Sequence, residues 1–274
     1  MSRGIYVVII LFLLVFIPTQ SLSQGDNQGN LRNIKSKIEP ALFHHLQTKS
    51  SARIIITFED WSSRKLVFKQ QGIDRWLDLK IINGSAIMTS RDKIFELAKD
   101  SRVNYIYLSR KIWLTTPIAE KNVHVIKPNM QEYMQYEKVD KNWRQRLGIG
   151  VLEDMGIDGD NVVVAVIDSG IDDTHPDLED AVVYEESFVD YDFDGAPDEG
   201  PEDLNGHGTH VAGIIAGRGI ASGGSIKGVA PKAKLWNLRV FNEFGFGYDA
   251  WIIKAIDKAA QSTEVDIISM SLGG

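Results

Sequence analysis

The chain of 274 residues contains no cysteine, so disulfides and thiolate metal sites are excluded. A folded state must then rest on its core or on metal. There is no Gly-x-Ser-x-Gly turn, which removes the hydrolases built on that nucleophile elbow. No internal repeat or low-complexity tract is evident, so repeat architectures are set aside. The apolar run at residues 5–17 is thirteen residues long, short of the roughly 20 that a spanning helix needs. Basic side chains are missing from one stretch: between Asp172 and Asp203 there are fourteen carboxylates and no Lys or Arg. The formal net charge is −7, and the rest of the chain holds 30 basic residues against 23 acidic ones (37 minus those fourteen). All the net negative charge therefore sits in one segment. Such crowding argues against a nucleic-acid surface there and costs self-repulsion unless solvent or a cation relieves it.

Arg3, the apolar run and Ser21-Leu22-Ser23 have the order of a secretory signal peptide over residues 1–23, with cleavage after Ser23. This predicts a secreted, extracellular protein with no membrane attachment once the leader is removed. Residues 24–48 read as a linker with a short helix near residues 39–46. From residue 52 the pattern sharpens. Strands are expected at residues 53–58, 76–82, 86–89 and 103–108, and helices at 62–71 and 92–99, the latter with Ile94, Leu97 and Ala98 on one face. That βαββαβ order predicts a ferredoxin-like α+β unit over residues 49–115, a fold that hosts many functions. Residues 116–145, with Pro117 and Pro128, read as a connecting segment.

Asp168 ends the run Val162-Val163-Val164-Ala165-Val166-Ile167. A β-branched run without alternation predicts a strand buried on both faces. Asp168 then lies at its carboxyl end, where open α/β sheets place their ligands. Thirty-nine residues on, His207 stands in Asn205-Gly206-His207-Gly208-Thr209-His210, at the start of a small-residue helix expected to be buried. A carboxylate and an imidazole on adjacent elements can meet, one holding a ring nitrogen while the other nitrogen takes a proton. Taken singly, Asp168 is compatible with a helix N-cap and His207 with a structural histidine. A zinc set of His175, His207 and His210 lacks the His-x-x-x-His spacing and a helical Glu.

These two segments resemble the Asp and His boxes of the subtilisin-like serine proteases, the subtilase or peptidase S8 family. Thr174-His175-Pro176-Asp177-Leu178, Gly228-Val229-Ala230-Pro231 and Ser269-Met270-Ser271-Leu272-Gly273-Gly274 follow in the family's order. The resemblance implies a partial subtilisin-like parallel-sheet α/β domain over residues 146–274. It implies a serine endopeptidase acting on protein or peptide substrates, with Asp168 orienting His207 as general base and acid. It also implies an extended peptide held between Ser271, Leu272, Gly273 and Gly274 on one side and Gly245, Phe246 and Gly247 on the other. Residues 49–115 then resemble an inhibitor-type propeptide, a partner for the chain's own protease region. By the family pattern the oxyanion Asn and the Gly-Thr-Ser-Met nucleophile box fall beyond Gly274, so the chain as given is expected to be inactive alone.

Asp190-Tyr191-Asp192-Phe193-Asp194-Gly195, with Asp198 at the ninth place, matches the opening of a calcium loop, so Ca²⁺ is the expected structural cofactor. Pro201 occupies the twelfth place, which excludes an EF-hand; a merely solvated acidic loop is the alternative. Asp177 resembles a family calcium ligand, although the 218–227 loop lacks the insert that would complete that second site. Trp251, Ile252, Ala255 and Ile256 read as the buried stripe of a helix. Two further classes stay open: a non-enzymatic inhibitor or chaperone acting through residues 49–115, and an exported calcium-binding module.

Overall fold

The computed structural model describes residues 33–114 and 143–273. The leader, most of the connecting segment and Gly274 lie outside these. No described helix is long and apolar enough to cross a membrane.

The first unit contains α1 Pro40–Thr48, β1 Ser51–Phe58, α2 Ser63–Gln70, β2 Leu77–Leu79, β3 Gly84–Ser90, α3 Arg91–Lys99 and β4 Val103–Leu108. Its sheet runs β2-β3-β1-β4, and each neighbouring pair is antiparallel. Ser90 caps α3 by accepting the Lys93 amide, and Ile94, Leu97 and Ala98 bury the stripe that their spacing requires. Alternation along β1 divides its side chains between two cores. Ile54 and Ile56 face the helices, among Leu42, Phe68, Ile94 and Leu97. Ile55, with Leu77, Leu79 and Ala86, faces the other way into a core shared with the second unit.

Two expectations need correction. The strand expected at residues 76–82 stops at Leu79, and Lys80–Ile82 is a 3₁₀ turn closed by Asn83 at φ 50°. Asn accepts this left-handed conformation more readily than most residues, so the chain turns before Gly84. The linker expected over residues 24–48 is packed structure at its end. Leu42 and Leu46, four apart on α1, are buried in the helix-side core, so the packed unit begins upstream of residue 49.

After β4 comes β5 Lys111–Leu114, and then the second unit. It contains α4 Trp143–Arg146, α5 Ile149–Asp154, β6 Val163–Asp168, β7 Val182–Ser187, α6 His207–Ala216, β8 Lys234–Arg239, β9 Phe246–Tyr248, α7 Asp249–Gln261, β10 Ile267–Met270 and β11 Leu272–Gly273. The main sheet is ordered β10-β6-β8-β7 with every pair parallel. As the unalternated run requires, β6 lies inside and is covered on both faces: Ala165 and Ile167 meet the core of α7, while Val164 and Val166 meet that of α6. The helix α6 is only partly buried. Gly208, Ala212 and Ala216 form its inward stripe, whereas Ile214 is 48% exposed, because a helix on a sheet face hides one side. A small third sheet, β11-β5-β9, is antiparallel throughout.

Candidate active site

The parallel sheet delivers Asp168 at the carboxyl end of β6, and α6 begins with His207 beside it. The Nδ1 of His207 lies 2.7 Å from Oδ1 of Asp168, and the Asp168 carboxylate also accepts the Ser169 amide at 2.7 Å. Asp168 is 1% exposed, while the His207 side chain keeps an open edge at 15%. Burial pushes the Asp168 carboxyl up, opposed by the hydrogen bond and charge of His207. Among the described residues no hydrogen bond to Nε2 of His207 is formed, so that nitrogen is available for proton transfer.

Close approach of the two elements depends on glycine. A Cβ at Gly208 would collide with the Gly170 carbonyl and lie 3.1 Å from the Asp168 Cβ. Gly170 itself sits at φ 110°, a conformation that other residues rarely adopt.

Asp203 is a positioning residue that the sequence reading missed. Its Oδ1 accepts the Asn205 and Gly206 amides at 3.0 and 2.8 Å and the Ser169 hydroxyl at 2.9 Å. Its Oδ2 accepts the Thr209 amide at 2.9 Å and hydroxyl at 2.5 Å. Ser169 in turn accepts the Gly208 amide at 2.9 Å. One carboxylate thus caps the first turn of α6 and ties it to the residue after Asp168. Asp203-x-Asn205-Gly206, a turn spacing immediately before the helix, is the signal that could have found it.

The expected peptide-binding strands are brought together around another strand. Leu272 and Gly273 pair with Leu114 and Trp113, and Phe246 and Gly247 pair with Trp113 and Ile112. The Leu114 amide donates to the Gly245 carbonyl at 2.9 Å. Residues 111–114 of the chain itself therefore lie where an extended peptide was expected. Ser271 precedes this pairing, and Gly274 is outside the described residues. Trp251 is fully buried, as its helical stripe implied, and its indole donates to the Asp190 carbonyl at 2.9 Å.

Carboxylate oxygens of Asp190, Asp192 and Asp194 lie within 4.8 Å of one another, a hard-oxygen set of the kind Ca²⁺ takes. Asp198 is not among them. Its Oδ2 accepts the Tyr191 amide at 2.6 Å, because the chain folds back to pair the Asp198 amide with the Val189 carbonyl. Asp177 stands apart and accepts the Ala221 amide at 2.8 Å. Basic side chains from outside the segment relieve part of its charge: Arg75 on Asp194 at 2.7 Å, Lys258 on Glu186 at 2.8 Å, and Arg239 on Glu199.

Comparison with known proteins agrees with this arrangement. The Major intracellular serine protease of Bacillus subtilis (strain 168) is 48% identical over 120 residues, 43% of this chain and 36% of that protein. Subtilisin E of the same organism is 32% identical over 267 residues, 97% of this chain and 59% of that protein. The chain thus spans between about a third and three fifths of these relatives. The crystal structure of the epidermin leader peptide processing serine protease of Staphylococcus aureus has the same fold over 82% of this chain and 51% of that one, with TM-score 0.60 and 19% identity. A profile that begins just before β6 and continues through both boxes, residues 159–274, is that of Peptidase_S8, the subtilase family, and the chain belongs to that family of subtilisin-like serine proteases.

Proposed function

We propose that this chain is the precursor of an exported subtilisin-like serine endopeptidase, given through the Asp and His parts of its catalytic machinery. The observation that carries the reading is the 2.7 Å contact between His207 Nδ1 and the buried Asp168. A carboxylate in that place fixes the ring so that Nε2 faces the reacting groups. His207 then takes the proton of a serine hydroxyl as the oxygen attacks a peptide carbonyl, and returns it to the leaving amine. The serine belongs to the segment that follows Gly274 in the family pattern, so the 274 residues by themselves are expected to hydrolyse nothing.

The N-terminal unit, expected over residues 49–115 and packed from α1 onward, acts as the propeptide. The β2-β3-β1-β4 order with α2 and α3 on one face, joined there by α1, supports the ferredoxin-like reading. The seating of Lys111–Leu114 between β11 and β9 supports inhibition by a product-like strand. Arg3, the apolar run and Ser21-Leu22-Ser23 support export through a leader at residues 1–23. Asp190, Asp192 and Asp194 would hold a structural Ca²⁺ through carboxylate oxygens, which relieves the charge crowded there.

Titrating the N-terminal unit against this protein's own protease region, extended through its nucleophile segment, tests the propeptide assignment. Slowed peptide hydrolysis is expected at micromolar concentration or below, and none at that level contradicts it.

A further inference from the structure

The N-terminal unit grips the acidic loop as well as the peptide groove, and it does so with two arginines. Arg53, on β1, donates from Nε and from a terminal nitrogen to one oxygen, the Tyr191 carbonyl, at 3.0 and 2.8 Å. Its guanidinium also lies 4.9 Å from the centre of the Tyr248 ring and 5.9 Å from that of Phe193. Phe193 is buried at φ 61°, a conformation that a bulky residue holds only when its surroundings fix it. Those surroundings are an aromatic box: Tyr248 and Trp251 edge-on to Phe193, and Tyr191 edge-on to Trp251. Arg53 closes the open side of this box. Arg75 donates to Asp194 at 2.7 Å, and the backbone of Trp76 comes so near Gly195 that a Cβ there would lie 2.9 Å from its carbonyl.

We propose that Arg53 and Arg75 form a recognition clamp through which the N-terminal unit selects a catalytic domain carrying the 190–195 loop. Strand pairing in a groove reads backbone and gives little discrimination between related domains. One guanidinium that must meet a carbonyl and two rings, beside a second that must meet a carboxylate, reads a particular loop. The clamp accordingly makes the unit an inhibitor fitted to its own chain and weak on relatives lacking the loop. This selectivity rests on the propeptide reading above, whereas the clamp itself does not.

The test uses the full chain with a site-specific protease sequence inserted at Pro128, cut after folding, and follows dissociation of the two pieces. Arg53→Gln is expected to speed dissociation by about thirtyfold. Arg75→Gln should speed it by about threefold, with a reduced dependence on salt. Lys65→Gln, a charge loss on an exposed part of the same unit, should leave the rate unchanged. Because Arg53→Gln can harm folding of the unit, Arg53→Lys keeps the charge without the fork and should still lose most of the effect. A double-mutant cycle with Asp194→Asn should remove the Arg75 contribution from the opposite side. Rates for Arg53→Gln and Arg53→Lys both within twofold of the unsubstituted protein overturn the clamp. No peptidase assay enters these measurements. A clamp that holds in a unit that does not inhibit leaves this inference standing and removes the propeptide reading.

Discussion

Asp203 shows how much of the site rests on a residue that touches no substrate. Its two oxygens accept five hydrogen bonds from Ser169, Asn205, Gly206 and Thr209, and so fix the start of the His207 helix relative to Asp168. Asp203→Ala should cost about 2 kcal/mol in urea unfolding, since hydrogen bonds to a charged group contribute about 1.5–3 kcal/mol each and water recovers part of the loss. An unchanged midpoint would mean that the turn holds itself. The meeting of Asp168 and His207 was legible because Asp168 ends an unalternated apolar run and His207 opens a helix of small residues. Asp203 was not, because an aspartate in a polar turn is common and only its partners single it out. Asp198 misled for the same reason: its spacing suited a ligand loop, while the backbone pairing of residues 189 and 198 turned it onto the Tyr191 amide.

At the scale of elements, the contact between β6 and α6 leaves room for hydrogen only. Gly208→Ala should push the helix from the strand end and cost about 1–3 kcal/mol by overpacking, visible as a lowered unfolding midpoint. A substitution with no effect would show that the helix start can shift freely. The acidic loop has its own pH signature. Burial pushes the Asp190 carboxyl up to about 6 from its ordinary 3.8, while the Gly195 and Asp194 amides pull the other way. Its folded pKa lies above its unfolded one, so folding favours the protonated form. That stability is complete below about pH 4 and is lost as the pH rises through about 6. In chelator, then, the protein should melt higher near pH 5 than near pH 7.5, and Asp190→Asn should flatten the difference. A melt that rises with pH over this window would contradict the assignment. Most elements were readable from period and turn residues, including α3 from Ile94, Leu97 and Ala98. The shortening of β2 was not, since Lys80, Ile81 and Ile82 have strand character locally and the left-handed Asn83 decides the turn.

For the whole molecule, the two units are joined by more than the chain between them. Ile55, Leu77, Leu79 and Ala86 of the first share an apolar cluster with Phe193, Tyr248, Trp251 and Ile252 of the second. Sequence could suggest each unit but not this joint, because residues far apart in the chain reveal nothing of their pairing through local pattern. Calcium should raise the melting temperature, by the equivalent of about 2.7 kcal/mol at a hundred times its dissociation constant. Asp192→Ala with Asp194→Ala should abolish that rise, and equal rises in both proteins would move the metal elsewhere. The account's central claim is that Asp168 holds His207 as the proton-transfer group of a peptidase. It is tested most directly by turnover of a peptide substrate by Asp168→Asn in the protein extended through its nucleophile segment. The account predicts a fall in kcat of about 10⁴-fold with KM nearly unchanged, because the imidazole would be held in the wrong tautomer. A loss smaller than about tenfold would show that Asp168 is not the orienting carboxylate.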